Sequence, residues 1–174
     1  MQAFIRKQSE KTISIDQLKK LVPHYCKVIK YDNLRGKTLK DVMGRYTVLI
    51  LLWNIHDKKH RILNEPGHFW CISTRGPEEC VVFSSTGMSL TKELLITASD
   101  PLMLQKILPK KTIYNNVKLQ SDGLSNTCWR YCLAFAHLAP IGLKKFQEIF
   151  RRPHLSLHTS DDLVTALTCL ALLV

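Results

Sequence analysis

The chain has 174 residues, 45% of them hydrophobic and 22% charged, with seven Gly and seven Pro. That balance suits one globular domain spanning residues 1–174 and excludes a disordered, collagenous or low-complexity chain. The formal net charge of +11 at pH 7 reads as a solvated basic surface or as one for non-specific, salt-sensitive contact with nucleic acid or an acidic partner. The absence of zinc-finger, aromatic RNA-binding and basic-zipper patterns excludes base readout by those modules.

In chain order, Ser14-x-x-Gln17 reads as a capping box that opens a short helix through Leu18 and Leu21, ended by Pro23. A second short helix spans Leu39 to Met43 and is closed by Gly44. Tyr46 to Trp53 is an apolar, β-branched run without alternation, as expected of a strand covered on both faces. A polar, basic connection from Asn54 to Gly67 leads to a second strand, His68 to Thr74, and a third follows at Cys80 to Ser85. Gly76-Pro77 between them predicts a tight connection and antiparallel neighbours. Two helices follow, at Ser89 to Ala98 and from Asp100-Pro101 onward, with Pro101 in the first helical position. Thr112 to Leu119 returns to strand character. Helices are expected at Asn126 to Leu138, at Pro140 to Arg151, and after the cap Thr159-x-x-Asp162. The most apolar stretch, Leu163 to Val174, is about 12 residues, against roughly 20 for a membrane span, so it reads as a core helix and no membrane association is expected.

Six cysteines are too sparse for a disulfide framework, and the opening Met1-Gln2-Ala3-Phe4-Ile5-Arg6-Lys7 lacks the apolar centre of a secretory signal. A reducing compartment is therefore expected. His56-x-x-x-His60 and His154-x-x-x-His158 have ligand spacing for one helical face, but both lie in polar segments without a Cys-x-x-Cys or His-Glu-x-x-His partner. Neither a metal nor a cofactor is expected, and no Gly-rich phosphate loop is present.

The chemistry concentrates between Leu119 and Cys132. A strand ends near Leu119, a loop of turn residues follows, and Ser125 or Asn126 can cap a helix that carries Cys128 in its first turn. Backbone N–H groups and the positive end of the helix dipole there should stabilise a thiolate, depress the thiol pKa and hold a developing oxyanion. A cysteine near a helix start also suits buried filler, so a base is needed. His68 is the candidate, opening a strand directly after Pro66-Gly67 and near Trp70.

Gly67-His68-Phe69-Trp70, then Phe83-Ser84-Ser85-Thr86-Gly87, then Gln120 followed by Cys128 and Cys132 have an order and spacing that resemble the adenovirus protease (adenain) family. Its relatives occur in virophages, Polinton-type elements and large DNA viruses, with SUMO-specific proteases as more distant cousins. The resemblance runs from about Thr47 to Leu138. It implies a papain-like α+β fold with a mixed central sheet flanked by helices, in which the Cys128 helix meets His68 across a cleft. It also implies that Cys128 is the nucleophile, His68 the base, and Gln120 with the Cys128 N–H the oxyanion hole, with Trp70 packed near His68. Cys132 is a rival nucleophile but sits among Leu133 and Phe135, as core; Cys26, Cys71, Cys80 and Cys169 read as buried structural residues.

Three positions depart from the family. Ser84, beside Ser85, stands where relatives carry Asp, Glu or Asn to orient the histidine. The orienting group is thus open among Ser84, Ser85, Glu78, Glu79 and Asp122, or the site is a dyad plus glutamine. Trp129 replaces the glycine many relatives have after the nucleophile, and Phe69 separates His68 from Trp70, which allows a strand bulge. The implied function is a monomeric viral endopeptidase that cleaves capsid and core precursors, in the virion and in viral factories of the host cytoplasm, with activation by DNA or a peptide left open. The competing readings are an isopeptidase for a ubiquitin-like modifier and an inactive, basic DNA-binding accessory protein.

Overall fold

A computed structural model describes residues 2–53, 67–74, 80–96, 100–121, 126–151, 157 and 159–171. Five strands form one mixed sheet in the order β1-β2-β3-β4-β5: β1 (Cys26–Lys30), β2 (Val48–Trp53), β3 (His68–Thr74), β4 (Cys80–Phe83) and β5 (Thr112–Tyr114). β1 pairs parallel with β2, β3 runs antiparallel to both β2 and β4, and β5 is parallel to β4. The register of β2 and β3 is unbroken from Val48↔Ser73 to Trp53↔His68, so Phe69 sits in regular strand and no bulge separates His68 from Trp70.

Helices cover both faces, which is why the inner strands read as continuous apolar runs. On one face Val48 and Ile50 of β2, Phe69 and Cys71 of β3, and Val81 and Phe83 of β4 meet α2 (Ile15–Lys19), α6 (Cys128–Leu138), α7 (Leu143–Arg151) and α8 (Ser160–Ala171). Phe83 stacks on Phe135 at 4.7 Å, and Phe146 stands edge-on to both at 5.2 and 5.1 Å. Each ring buried in this way contributes about 1.5–3 kcal/mol. On the other face Leu49, Leu51, Trp53, Trp70, Ile72 and Val82 pack against a 3-10 turn (Tyr31–Leu34), α3 (Leu39–Met43), α4 (Leu90–Ile96) and α5 (Pro101–Ile107). Trp53 stacks on Trp70 at 4.9 Å there.

Local caps set several boundaries. Ser14 and Gln17 form the reciprocal box at the start of α2, Asp100 accepts from the Leu102 N–H ahead of α5, and Thr159 and Asp162 exchange bonds at the start of α8. Gly44, at φ 55°, closes α3. Three elements depart from the sequence reading. β5 stops at Tyr114 instead of running to Leu119, because the Asn115 side chain accepts from the Val117 N–H at 3.1 Å and donates to the Val117 carbonyl at 2.9 Å, turning the chain out of the ladder. β1 and the N-terminal helix α1 (Gln2–Ser9) were not expected. α1 packs on α8, and its end and the residues after it are tied to the Cys128 helix and its approach: Arg130 Nη2, Asn126 Nδ2 and Trp129 Nε1 donate to the carbonyls of Gln8, Glu10 and Lys11, each at 2.9 Å.

Among the described residues, no helix is long and apolar enough to cross a membrane. The expected connection over 54–66, with His56 and His60, and the turn at Gly76-Pro77 lie outside the described residues. So do Glu78, Glu79, Asp122, Ser125, His154 and His158.

Candidate active site

The β3–β4 ladder begins at Cys71↔Phe83, so His68, Phe69 and Trp70 run past the last paired residue of β4. The chain leaving β4, Ser84 to Gly87, lies at this same end of the sheet. Two glycines permit the close packing. A Cβ on Gly67 would sit 1.9 Å from the Trp53 carbonyl oxygen, so only glycine lets the chain enter β3 at His68. Gly87, at φ +66°, would place a Cβ 2.5 Å from the Val117 carbonyl carbon; its loop thus rests directly on the segment leading to Gln120.

Cys128 is the first residue of α6 and is 8% exposed. The N–H groups of Phe69, Trp129 and Cys128 itself face its sulfur and favour the thiolate, as the helix-start position predicts. Burial outweighs them and pushes the thiol up to about 11. The expected depressed thiol pKa is thereby corrected. The predicted caps differ too. Thr127 occupies the N-cap position and its side chain makes no cap bond, while Asn126 is engaged with Glu10.

His68 places Nε2 3.3 Å from Ser84 Oγ and 3.7 Å from Glu93 Oε2. Glu93, on α4 and 4% exposed, was not identified from sequence. Its Oε1 accepts from Ser84 Oγ at 2.8 Å and from the Thr86 hydroxyl. Because Ser84 gives its one proton to the carboxylate, it must accept from His68 Nε2–H, which leaves the imidazole lone pair on Nδ1. Ser84 therefore links the imidazole to a carboxylate supplied from a helix. Burial pushes Glu93 up to about 7, against the opposing donor Ser84, and pushes His68 down to about 4.

Ser85 serves a different partner. Its hydroxyl donates to Gln120 Oε1 at 2.7 Å, and its carbonyl accepts from the N–H groups of Leu119 and Gln120, both at 2.9 Å. With its oxygen engaged in this way, the Gln120 amide is oriented as a donor. Ser84 and Ser85 thus divide the work: one faces His68 and Glu93, the other Gln120.

Asn115, 3% exposed, joins the two halves. Besides turning the chain at Val117, its Nδ2 donates to the Ser84 carbonyl and its Oδ1 accepts from Gln147 Nε2 at 2.7 Å. A buried amide with this many partners fixes its neighbours' positions. Glu93 had a legible signal, a carboxylate flanked by Leu90 and Leu94 on the buried side of a helix; Asn115 had only its place at a strand end.

All six cysteines are free. Cys26, Cys71, Cys80 and Cys132 are buried, whereas Cys169 is only partly so and accepts from Arg130 Nη1 at 3.8 Å. Trp129 is committed to anchoring the N-terminal segment, with the Arg130 guanidinium 4.2 Å from its ring centre. Among the described residues, no group of three or more His, Cys, Asp or Glu is placed to hold a metal ion. No protein-family model matches the chain, and no curated protein matches it in sequence.

Proposed function

We propose that the chain is a cysteine endopeptidase of papain-like, adenain-like architecture. The observation that carries this reading is an imidazole wired through Ser84 to a buried carboxylate, next in sequence to the Phe69 N–H that faces the helix-start thiol of Cys128; the Gln120 amide is oriented as a donor by Ser85. In this reading Cys128 Sγ bonds to the scissile carbonyl carbon while His68 Nδ1 takes the thiol proton. Charge developing on the carbonyl oxygen is met by the Cys128 N–H and the Gln120 amide. His68 then passes the proton to the leaving amine as the C–N bond breaks, and water hydrolyses the thioester. Ionised Glu93 holds the productive tautomer and stabilises the imidazolium formed on the way.

By the same reading, the substrates are capsid and core precursors cut during virion maturation, and the basic surface holds the enzyme near packaged nucleic acid. The test is hydrolysis of a co-expressed precursor or a peptide library. Cys128→Ala should abolish cleavage, Cys132→Ala should retain it, and full activity in Cys128→Ala would overturn the assignment.

A further inference from the structure

Ser121 and Thr127 are both held by one buried carboxylate that the chemistry above does not use. Asp161, in the first turn of α8 and 5% exposed, accepts from the Ser121 N–H through Oδ2 at 3.1 Å and from the Thr127 hydroxyl through Oδ1 at 2.8 Å. The second bond has a consequence for α6. A threonine at an N-cap ordinarily takes extended backbone and turns its hydroxyl onto the N–H groups of the first turn. Thr127 instead has φ −91° and ψ −5°, makes no cap bond, and gives its proton to Asp161. The N–H of Trp129, the second helical residue and one that a capping hydroxyl would take, is thereby left facing the sulfur.

We infer that Asp161 is a positioning residue that keeps the Cys128 helix uncapped. By drawing the Thr127 hydroxyl away and tethering Ser121, it reserves the Trp129 N–H at the helix start for the thiolate. This rests on the peptidase reading for its purpose, though not for its test.

The experiment follows the rate of Cys128 alkylation by iodoacetamide at one alkaline pH, by peptide mass mapping of the full chain. Asp161→Ala frees the hydroxyl to cap the helix and should slow alkylation roughly tenfold, the order of one lost hydrogen bond to a charged group. Thr127→Val in the same chain removes the competing hydroxyl and should restore the rate to within about twofold of wild type. A role confined to stability predicts the reverse, a double variant as slow as Asp161→Ala or slower, and that result overturns the inference. So does an unchanged rate in Asp161→Ala. Should Asp161→Ala not fold, Thr127→Val alone decides: a wild-type rate supports the inference, and a tenfold fall overturns it. Lack of Cys128-dependent hydrolysis in the wild-type chain would sink the peptidase reading only, since alkylation needs nothing beyond the thiol.

Discussion

Replacing Glu93 by Gln separates what this residue does for chemistry from what it costs the fold. The carboxyl is buried and pushed up from 4.5 to about 7, so the native chain binds a proton that the unfolded chain has lost. A raised carboxyl pKa gives stability that is complete below the unfolded value and is lost as pH rises through the folded one. Between pH 5 and pH 8 the wild type should therefore lose about 2–3 kcal/mol through Glu93 alone, at 1.36 kcal/mol per pH unit. Gln carries no such dependence, and its Oε1 can still accept from Ser84 and Thr86. Urea unfolding should show Glu93→Gln gaining about that much relative to wild type between pH 5 and pH 8. The His68 contribution, lost as pH falls from 6.5 towards about 4, is present in both chains and cancels to first order.

On the peptidase reading, activity should move the other way. Ionised Glu93 fixes His68 with its proton on Nε2 and meets the imidazolium charge, so kcat/KM should rise through an acid limb near pH 7. In Glu93→Gln that limb should vanish and kcat should fall on the order of 100-fold, within the range that a positioned acid–base pair supplies. A variant with no relative gain in stability at pH 8, or one that keeps both its limb and its rate, would refute the assignment of Glu93.

Two further substitutions test the frame around the site. Asn115→Ala leaves the Ser84 carbonyl, the Val117 peptide groups and Gln147 without their shared partner and should cost roughly 3–5 kcal/mol in urea unfolding. Gly67→Ala drives a methyl into the Trp53 carbonyl at 1.9 Å and should cost more than about 4 kcal/mol, read as loss of the soluble folded chain.

What the sequence carries locally, it shows. β2, β3 and β4 are covered on both faces and so appear as unbroken apolar runs, and the caps at Ser14, Asp100 and Thr159 involve residues two or three positions apart. β1 is harder to read. It pairs on one side only and contains Lys27 and Lys30, with the Lys27 amine donating to the Val42 carbonyl at 2.8 Å. The candidate site divides along the same line. Cys128 and Gln120 share one strand–loop–helix segment and His68 opens a strand, so local pattern points to each. Glu93 and Asp161 arrive from helices whose place in the fold is set by tertiary packing. The thiol pKa is the sharpest case: the helix-start donors are local and act as expected, but burial is a property of the assembled core and prevails.

That burial bears on how such a site must work. With the thiol at about 11 and the imidazole at about 4, the pair rests uncharged at neutral pH, and a standing thiolate–imidazolium pair is disfavoured. Separating charge in a desolvated cleft is costly unless fixed dipoles already point at where the charge will appear. Here they do: three N–H groups face the sulfur, Ser85 orients Gln120, and Glu93 lies 3.7 Å from the imidazole. A seated carbonyl supplies the missing element, because negative charge passes from sulfur to an oxygen that the same donors can hold. On the peptidase reading the proton therefore leaves Cys128 as the new bond forms, not before. Such a thiol is sluggish towards a small alkylating agent and reactive towards a bound peptide, a selectivity that an exposed thiolate at the same helix start would lack.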